Sequence, residues 1–439
     1  MSYRISRVLT VCLLFLACCV PSFAQDGAHT AYSPYSIYGI GDLYGQGTVR
    51  DMSMGGVGIA GRDSRYINTT NPAAISARDT LSVLFDLGVY NENKTFSQGD
   101  FKSANNTLNI NNFAASFRII KNLGFMAGIS PYSSVGYNYS YDVNDPELLS
   151  TAGYVSYTSA GSGGLYQMHA GLGTTFFKRL SLGAQVIQYM GNIEKKSQMS
   201  FTNTSFRTIS SGYEMKLSGT AGKFGIQYEQ PVGRLTLGIG ATYKTSANLK
   251  GYVTDYMLSA GSLMTDTLRF NIDTLAHEAG RARLAGELGI GVSLRQGERW
   301  RAEFDYTYSD WTSSGMDRVT GFCHSGSKTF GTTKAQSFRL GMEYVPNVND
   351  IRYFYKRWSY KAGAYVNKEY YMLDRNSIFD AGITFGVTIP VFKGYNGVSL
   401  AVDLGQRGSL ADNLIRERYV NFTFGLNAFD IWFQKHRYQ

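Results

Sequence analysis

The chain has 439 residues and a formal charge of +9, with 32 Tyr, 26 Phe and 49 Gly against 8 Pro. After its first two dozen residues it has no apolar run long enough for a spanning helix, which excludes a helical membrane protein. Its Lys and Arg residues do not cluster, which excludes the basic footprint of a nucleic-acid binder and leaves charges spread over lumen, loops and turns.

Residues 1–24 read as a signal peptide. Arg4 and Arg7 form the basic n-region, residues 8–20 the apolar core, and Ser22-Phe23-Ala24 the small-residue cleavage site. Lipid attachment at Cys18 or Cys19 is disfavoured, because neither has a good small-residue context. Three of the four cysteines leave with this segment. Cys323 stays alone, so the mature chain has no disulfide framework and no thiolate metal site.

Residues 25–79 have neither a helical period nor clean alternation. The stretch 25–46 reads as an irregular arm leading into a plug, or hatch. Gly55, Gly56 and Gly58 let backbone pass close to backbone. Asn71-Pro72-Ala73 closes the segment, with Pro72 biasing Asn71 towards an extended conformation.

Period-two alternation begins near Thr80 and continues to the end. Leu235, Leu237, Ile239, Ala241 and Tyr243 oppose Thr236, Gly238, Gly240, Thr242 and Lys244. Fourteen strands are predicted: 80–96, 104–120, 122–140, 161–177, 180–198, 210–230, 234–253, 281–295, 299–312, 334–345, 357–373, 377–390, 396–408 and 415–429. Tight turns alternate with long polar loops, the pattern of an outer-membrane barrel with its long loops outside the cell. An even count puts both termini in the periplasm, with the plug entering from below. Segment 346–356 is too long for an ideal periplasmic turn and counts against the pattern. Charges such as Lys223, Lys244, Glu287, Asp305, Arg339 and Asp403 fall on the polar faces. A Lys or Arg on the lipid face at mid-membrane would cost about 2–4 kcal/mol, so they must face the lumen. Arg62, Asp63 and Arg65 of the hatch are their expected partners.

In the third strand Pro131, flanked by Gly128 and Gly136, cannot donate to a ladder. It implies a bulge or break in a barrel that has no free edge. The last strand alternates Val420, Phe422, Phe424 and Leu426 against polar residues, and Phe429, Trp432 and Phe433 follow as an interfacial cluster. The barrel thus spans 80–433, with a tail at 434–439. No nucleophile is paired with His169, the Cys323-His324 pair falls short of a zinc site, and no phosphate-binding loop occurs. These readings exclude an enzyme, a metal and a cofactor.

The small-residue run 54–60 followed by Asn71-Pro72-Ala73, after a secretory signal and before many strands, resembles the hatch of the FadL-type outer-membrane transporters. That family carries long-chain fatty acids or aromatic hydrocarbons. The resemblance implies an all-β transmembrane antiparallel barrel of about 14 strands with the hatch inside its lumen, in the outer membrane of a Gram-negative cell. It implies passive uptake of a hydrophobic small molecule, with lateral exit at the strand-three kink formed by Gly128, Pro131 and Gly136. Its ligand pocket follows no local spacing rule, so no pocket residues carry over. The last strand resembles the signal read by the barrel-assembly machinery, although the tail QKHRYQ departs from that pattern. The expected surroundings are outer-membrane lipid and lipopolysaccharide, around a monomer. One rival is a FadL-like barrel serving as a subunit of a protein-secretion or surface-attachment complex. Another is a general diffusion porin, which the glycine-rich hatch disfavours.

Overall fold

In a computed structural model of the chain, fourteen antiparallel strands close into one barrel around an N-terminal segment. The structure describes residues 32–79, 82–120, 122–143, 145–203, 205–259, 262–269, 281–319, 321–322, 328–392 and 396–431. The signal segment, Cys323-His324, Trp432, Phe433 and the tail lie outside the described residues.

The strands run in order around the wall. They are β1 Ser82–Gln98, β2 Phe101–Ile120, β3 Leu123–Ser134, β4 Val155–Phe176, β5 Leu180–Phe201, β6 Ile209–Val232 and β7 Leu235–Lys244. The others are β8 Glu287–Gln296, β9 Trp300–Asp310, β10 Lys334–Tyr344, β11 Ser359–Leu373, β12 Asn376–Phe392, β13 Asn396–Arg407 and β14 Arg416–Ile431. Pairing of β1 with β14, from Ser82↔Ile431 to Ser97↔Arg416, closes the cylinder. Tyr137–Val143 continues β3, and Lys250–Ser259 extends the wall above β7 against β6. The count and order agree with the strands predicted from alternation.

The alternation sorts side chains by solvent. Ile290 (59% exposed) and Phe385 (51%) point out to where lipid would lie, while Arg301, Glu303, Asp305 and Lys361 are buried in the lumen. This is the arrangement expected of a barrel in a bilayer, where a charge on the lipid face is costly. Among the described residues no helix is long and apolar enough to cross a membrane. The strands β4 to β6 have 22 to 24 residues, far beyond the roughly 9–11 that a span needs. The long inner connection between β10 and β11 folds on itself through Asn347 N–H donating to Lys356 O at 2.8 Å and a one-turn helix, Phe354–Arg357. Its length therefore does not disturb the barrel.

Two expectations need correction. The arm does not enter from below: the Tyr32 hydroxyl donates to Asn138 O, and Ser33 N–H to Gly136 O, both beside the upper part of β3. From this outer end the segment descends through the lumen to Ser82 at the inner end. Nor is the arm wholly irregular, because Asp42 and Leu43 pair with Ser134 and Ser133. Pairing of β2 with β3 stops at Phe113↔Ile129, so the upper β3 has a free edge, and Asp42 and Leu43 take it.

Candidate functional site

The hatch, the charged wall residues and the irregular third strand meet in the lumen. Hatch and wall make two kinds of contact. On one side Asn71, Pro72 and Ala73 lie against β4, β5 and β6. A Cβ on Gly183 would collide with the Pro72 carbonyl, and one on Gly225 with Asn71 Oδ1. Asn71 caps its own turn, with Oδ1 accepting from Ala73 N–H at 3.0 Å and Nδ2 donating to Ile59 O at 2.7 Å. The tripeptide is thus a buried stop that ties the hatch to itself and seats it in a trough of wall glycines.

On the other side the contact is electrostatic. Gly55 and Gly56 turn through φ of +73° and +79°. A Cβ on Gly55 would sit 2.9 Å from the carbonyls of Ala364 and Leu340. The Gly58 and Ile59 N–H groups donate to Asp305 Oδ2 at 2.7 and 2.9 Å. Arg50 Nη2 meets Glu343 Oε2 at 2.7 Å, and Arg301 Nη2 meets Asp63 Oδ2 at 3.0 Å. Burial alone would raise the Asp63 carboxyl. Arg65, Arg301 and Arg50 outweigh that and hold it well below the usual carboxylate range. Arg62 pairs with Glu229 at 3.6 Å, and Arg65 with Asp63 at 3.2 Å.

The arm closes the outer end. Tyr35, Ile37, Tyr38 and Ile40 are buried in one apolar cluster with Trp311, Phe322, Tyr370 and Tyr371. Beneath this cluster Arg407 Nη2 reaches Asp42, Glu417 and Ser33, each at 2.6 Å.

Strand three is continuous but irregular beside Pro131. Its register with β4 shifts between Pro131 and Ser133. Pairing of β2 with β3 runs from Ile120↔Leu123 only as far as Phe113↔Ile129. Above that level β2 pairs with β1 alone among the described residues. A seam in the wall results, with Asn111 and Asn112 buried on its β2 side. Gly128 lies against His169, whose Nε2 would be 2.7 Å from a Cβ there, and Gly136 O accepts from Ser36 Oγ at 3.0 Å. Of the three strand-three residues singled out in the sequence, Gly136 meets the arm, whereas Gly128 packs on wall residues and Pro131 stands at the register shift.

A chamber of about 320 Å³ lies between hatch and wall and reaches the seam at Tyr90, Asn111, Tyr132 and Ser134. Its remaining lining mixes apolar and aromatic side chains with charged ones, including Lys94, Lys244, Glu287, Asp305, Asp403 and Glu417. A second space of about 340 Å³ at the inner end is lined by Arg62, Arg78, Arg295, Arg301 and acidic neighbours. Among the described residues no three His, Cys, Asp or Glu side chains group as a metal would require. Sequence reasoning found that these charges face inward. It missed the Arg407 cluster, and although it sent Asp403 inward it did not find that residue's partners, because a strand's parity says nothing about what lies across the lumen.

A family model described as BamG matches residues 5–439. A search of the curated proteins matches none of them. Among solved structures the fold is similar to the Pseudomonas putida toluene transporter TodX, with TM-score 0.56, 15% identity and coverage of 90% of this chain and 100% of that one. It is likewise similar to a Pseudomonas aeruginosa FadL homologue, with TM-score 0.56, 12% identity and 90% and 100% coverage. The Ralstonia pickettii toluene transporter TbuX gives TM-score 0.52, 13% identity and 88% and 98% coverage. Identities this low establish a shared fold and no more, that of an outer-membrane transport barrel.

Proposed function

The chain belongs to the BamG family, and from that premise we propose that it is a non-catalytic subunit of an outer-membrane barrel-assembly complex rather than a free-standing uptake channel. The observation that carries this reading is the chemistry of the chamber. A path for a hydrocarbon needs a lining with few charges, and this one carries charged side chains all round it, among them Lys94, Lys244, Asp305, Arg339, Asp403 and Glu417. The family's name points to the barrel-assembly machinery as the partner, and the barrel then acts as a scaffold whose hatch keeps the membrane sealed.

The test is purification of the tagged full-length chain from its own outer membrane in mild detergent, followed by native mass spectrometry. A stoichiometric complex with the central barrel of the assembly machinery supports the reading. A lone barrel carrying a near-stoichiometric hydrophobic molecule refutes it. Depletion of the chain should also lower the level of other outer-membrane barrels.

A second reading keeps the hydrophobic channel with lateral exit at strand three. The seam above Phe113↔Ile129 favours it, as does the fold shared with hydrocarbon transporters. On that reading Pro131→Val, which lets the ladder continue, reduces uptake of a hydrophobic substrate. Unchanged uptake of every substrate tested removes it.

A further inference from the structure

The charges around the chamber are segregated. Lys223 on β6 and Lys244 on β7 are cross-strand partners, and Glu287 on β8 is the next residue in that row. Lys244 takes Glu287 at 3.4 Å. Lys223 is only 7% exposed, lines the chamber, and has no hydrogen bond or ion pair among the described residues. Arg339 on β10 donates to Ser337 Oγ and to Gly56 O, and meets no carboxylate within 4 Å among the described residues. Glu287 is the carboxylate shared by Lys244, Lys223 and Arg339, and Asp305 is engaged by the Gly58 and Ile59 N–H groups, so this side of the chamber holds more cations than its carboxylates pair directly.

The opposite wall is the reverse. Asp380 on β12 accepts from Tyr419 and Asn367, and Asp403 on β13 accepts from Tyr365 at 2.9 Å and Asn421 at 3.4 Å. All four donors are neutral, and no cation comes within 4 Å of either carboxylate among the described residues. Arg407 is already held by Asp42 and Glu417. Lys368 also lines the chamber but bonds to neither carboxylate. No direct ion pair joins the two groups among the described residues: Arg339 on β10 reaches Asp380 on β12 only through Ser337 and Asn367, and Lys223 on β6 lies far around the wall from Asp403 on β13.

Charges taken out of bulk water and left without partners are costly. A solute with an anionic end and a cationic end separated by several bonds would satisfy both walls at once. A hydrocarbon would satisfy neither. The volume, room for about ten waters, suits a molecule of a dozen or so non-hydrogen atoms. The seam that the chamber reaches is bordered by Asn111, so its rim is polar as well.

We propose that the chamber is a binding site for a small extended zwitterion, such as a short peptide. Its carboxylate lies at Lys223 and Arg339, and its ammonium at Asp380 and Asp403. The site stands apart from the assembly reading and does not depend on it.

The experiment uses the detergent-purified full-length barrel and four probes: triglycine, N-acetyl-triglycine, triglycine amide and the doubly capped peptide. Binding is read by titration calorimetry and native mass spectrometry. Triglycine should bind, and each cap should weaken it about tenfold or more, since each leaves one wall unpaired. Lys223→Met should abolish the penalty of the amide while keeping that of the acetyl group. Asp403→Asn should do the converse. The comparison among caps needs no variant, so a variant that fails to fold leaves the test intact. Equal binding of all four probes, no binding of triglycine at tens of millimolar, or variants that leave both cap penalties unchanged would each overturn the proposal.

Discussion

The two flanks of the hatch are held by different physics. Against β4, β5 and β6 the Asn71-Pro72-Ala73 turn rests on wall glycines, a fit of shape in which no charge takes part. Against β9, β10 and β11 the same hatch is held by Arg50–Glu343, Arg301–Asp63 and the Asp305 carboxylate on two N–H groups. A steric seat is indifferent to pH and salt. Buried ion pairs are conditional, since each partner is costly once the other is gone. The hatch thus has one flank held mainly by ion pairs, which conditions can loosen, and one held mainly by shape, where Arg62–Glu229 is the charged exception.

The largest effect expected is on the electrostatic flank. Among the described residues Arg50→Met leaves Glu343 with Lys361, at 4.0 Å, as its one basic partner within that distance. It should destabilise the hatch by about 3–5 kcal/mol. Hydrogen exchange should show residues 48–63 opening while 71–77 stay protected. If both segments open together, the two flanks are not independent. On the steric flank Gly225→Val forces a side chain into Asn71 and Pro72, with an overpacking cost of about 1–3 kcal/mol. Protection should then be lost first at 71–77, and thermal unfolding in detergent should fall accordingly.

Acid separates the flanks without mutation. The Asp63 carboxyl is held well below its ordinary range, so it binds fewer protons folded than unfolded. Its contribution is present above the unfolded value of about 4 and is lost progressively as the pH falls below it. Exchange measured down through that window should loosen 48–63 before 71–77, and Asp63→Asn should flatten the response. The smallest effect expected lies at the outer seal. Tyr35→Phe removes the hydroxyl that donates to Ile415 O at 2.5 Å. It should cost about 0.5–1.5 kcal/mol, seen as faster exchange near Tyr35 with both hatch flanks unchanged.

Much of the barrel was readable in the chain. The alternation at 235–244 and 379–389 follows from one local fact, that successive side chains on a strand point to opposite faces. It therefore located the strands and sent Lys223, Glu303 and Lys361 inward. Pro131 was readable for a similar reason, since a residue without an N–H cannot extend a ladder. The route of the arm was not. Residues 25–46 carry no period, and nothing local says that Asp42 will pair with Ser134 or that Tyr35 will sit under the outer loops.

By itself the sequence determined the barrel, its fourteen strands, which face of each strand is wet, and where the third strand turns irregular. Each of these depends on neighbours one or two positions apart. Only the tertiary structure decided that the hatch descends from the outer end and that Arg50 finds Glu343 across 293 positions. It alone placed Lys223 and Asp403 on opposite walls of one chamber. Those outcomes depend on how closure of the cylinder brings distant strands around a segment with no repeat of its own.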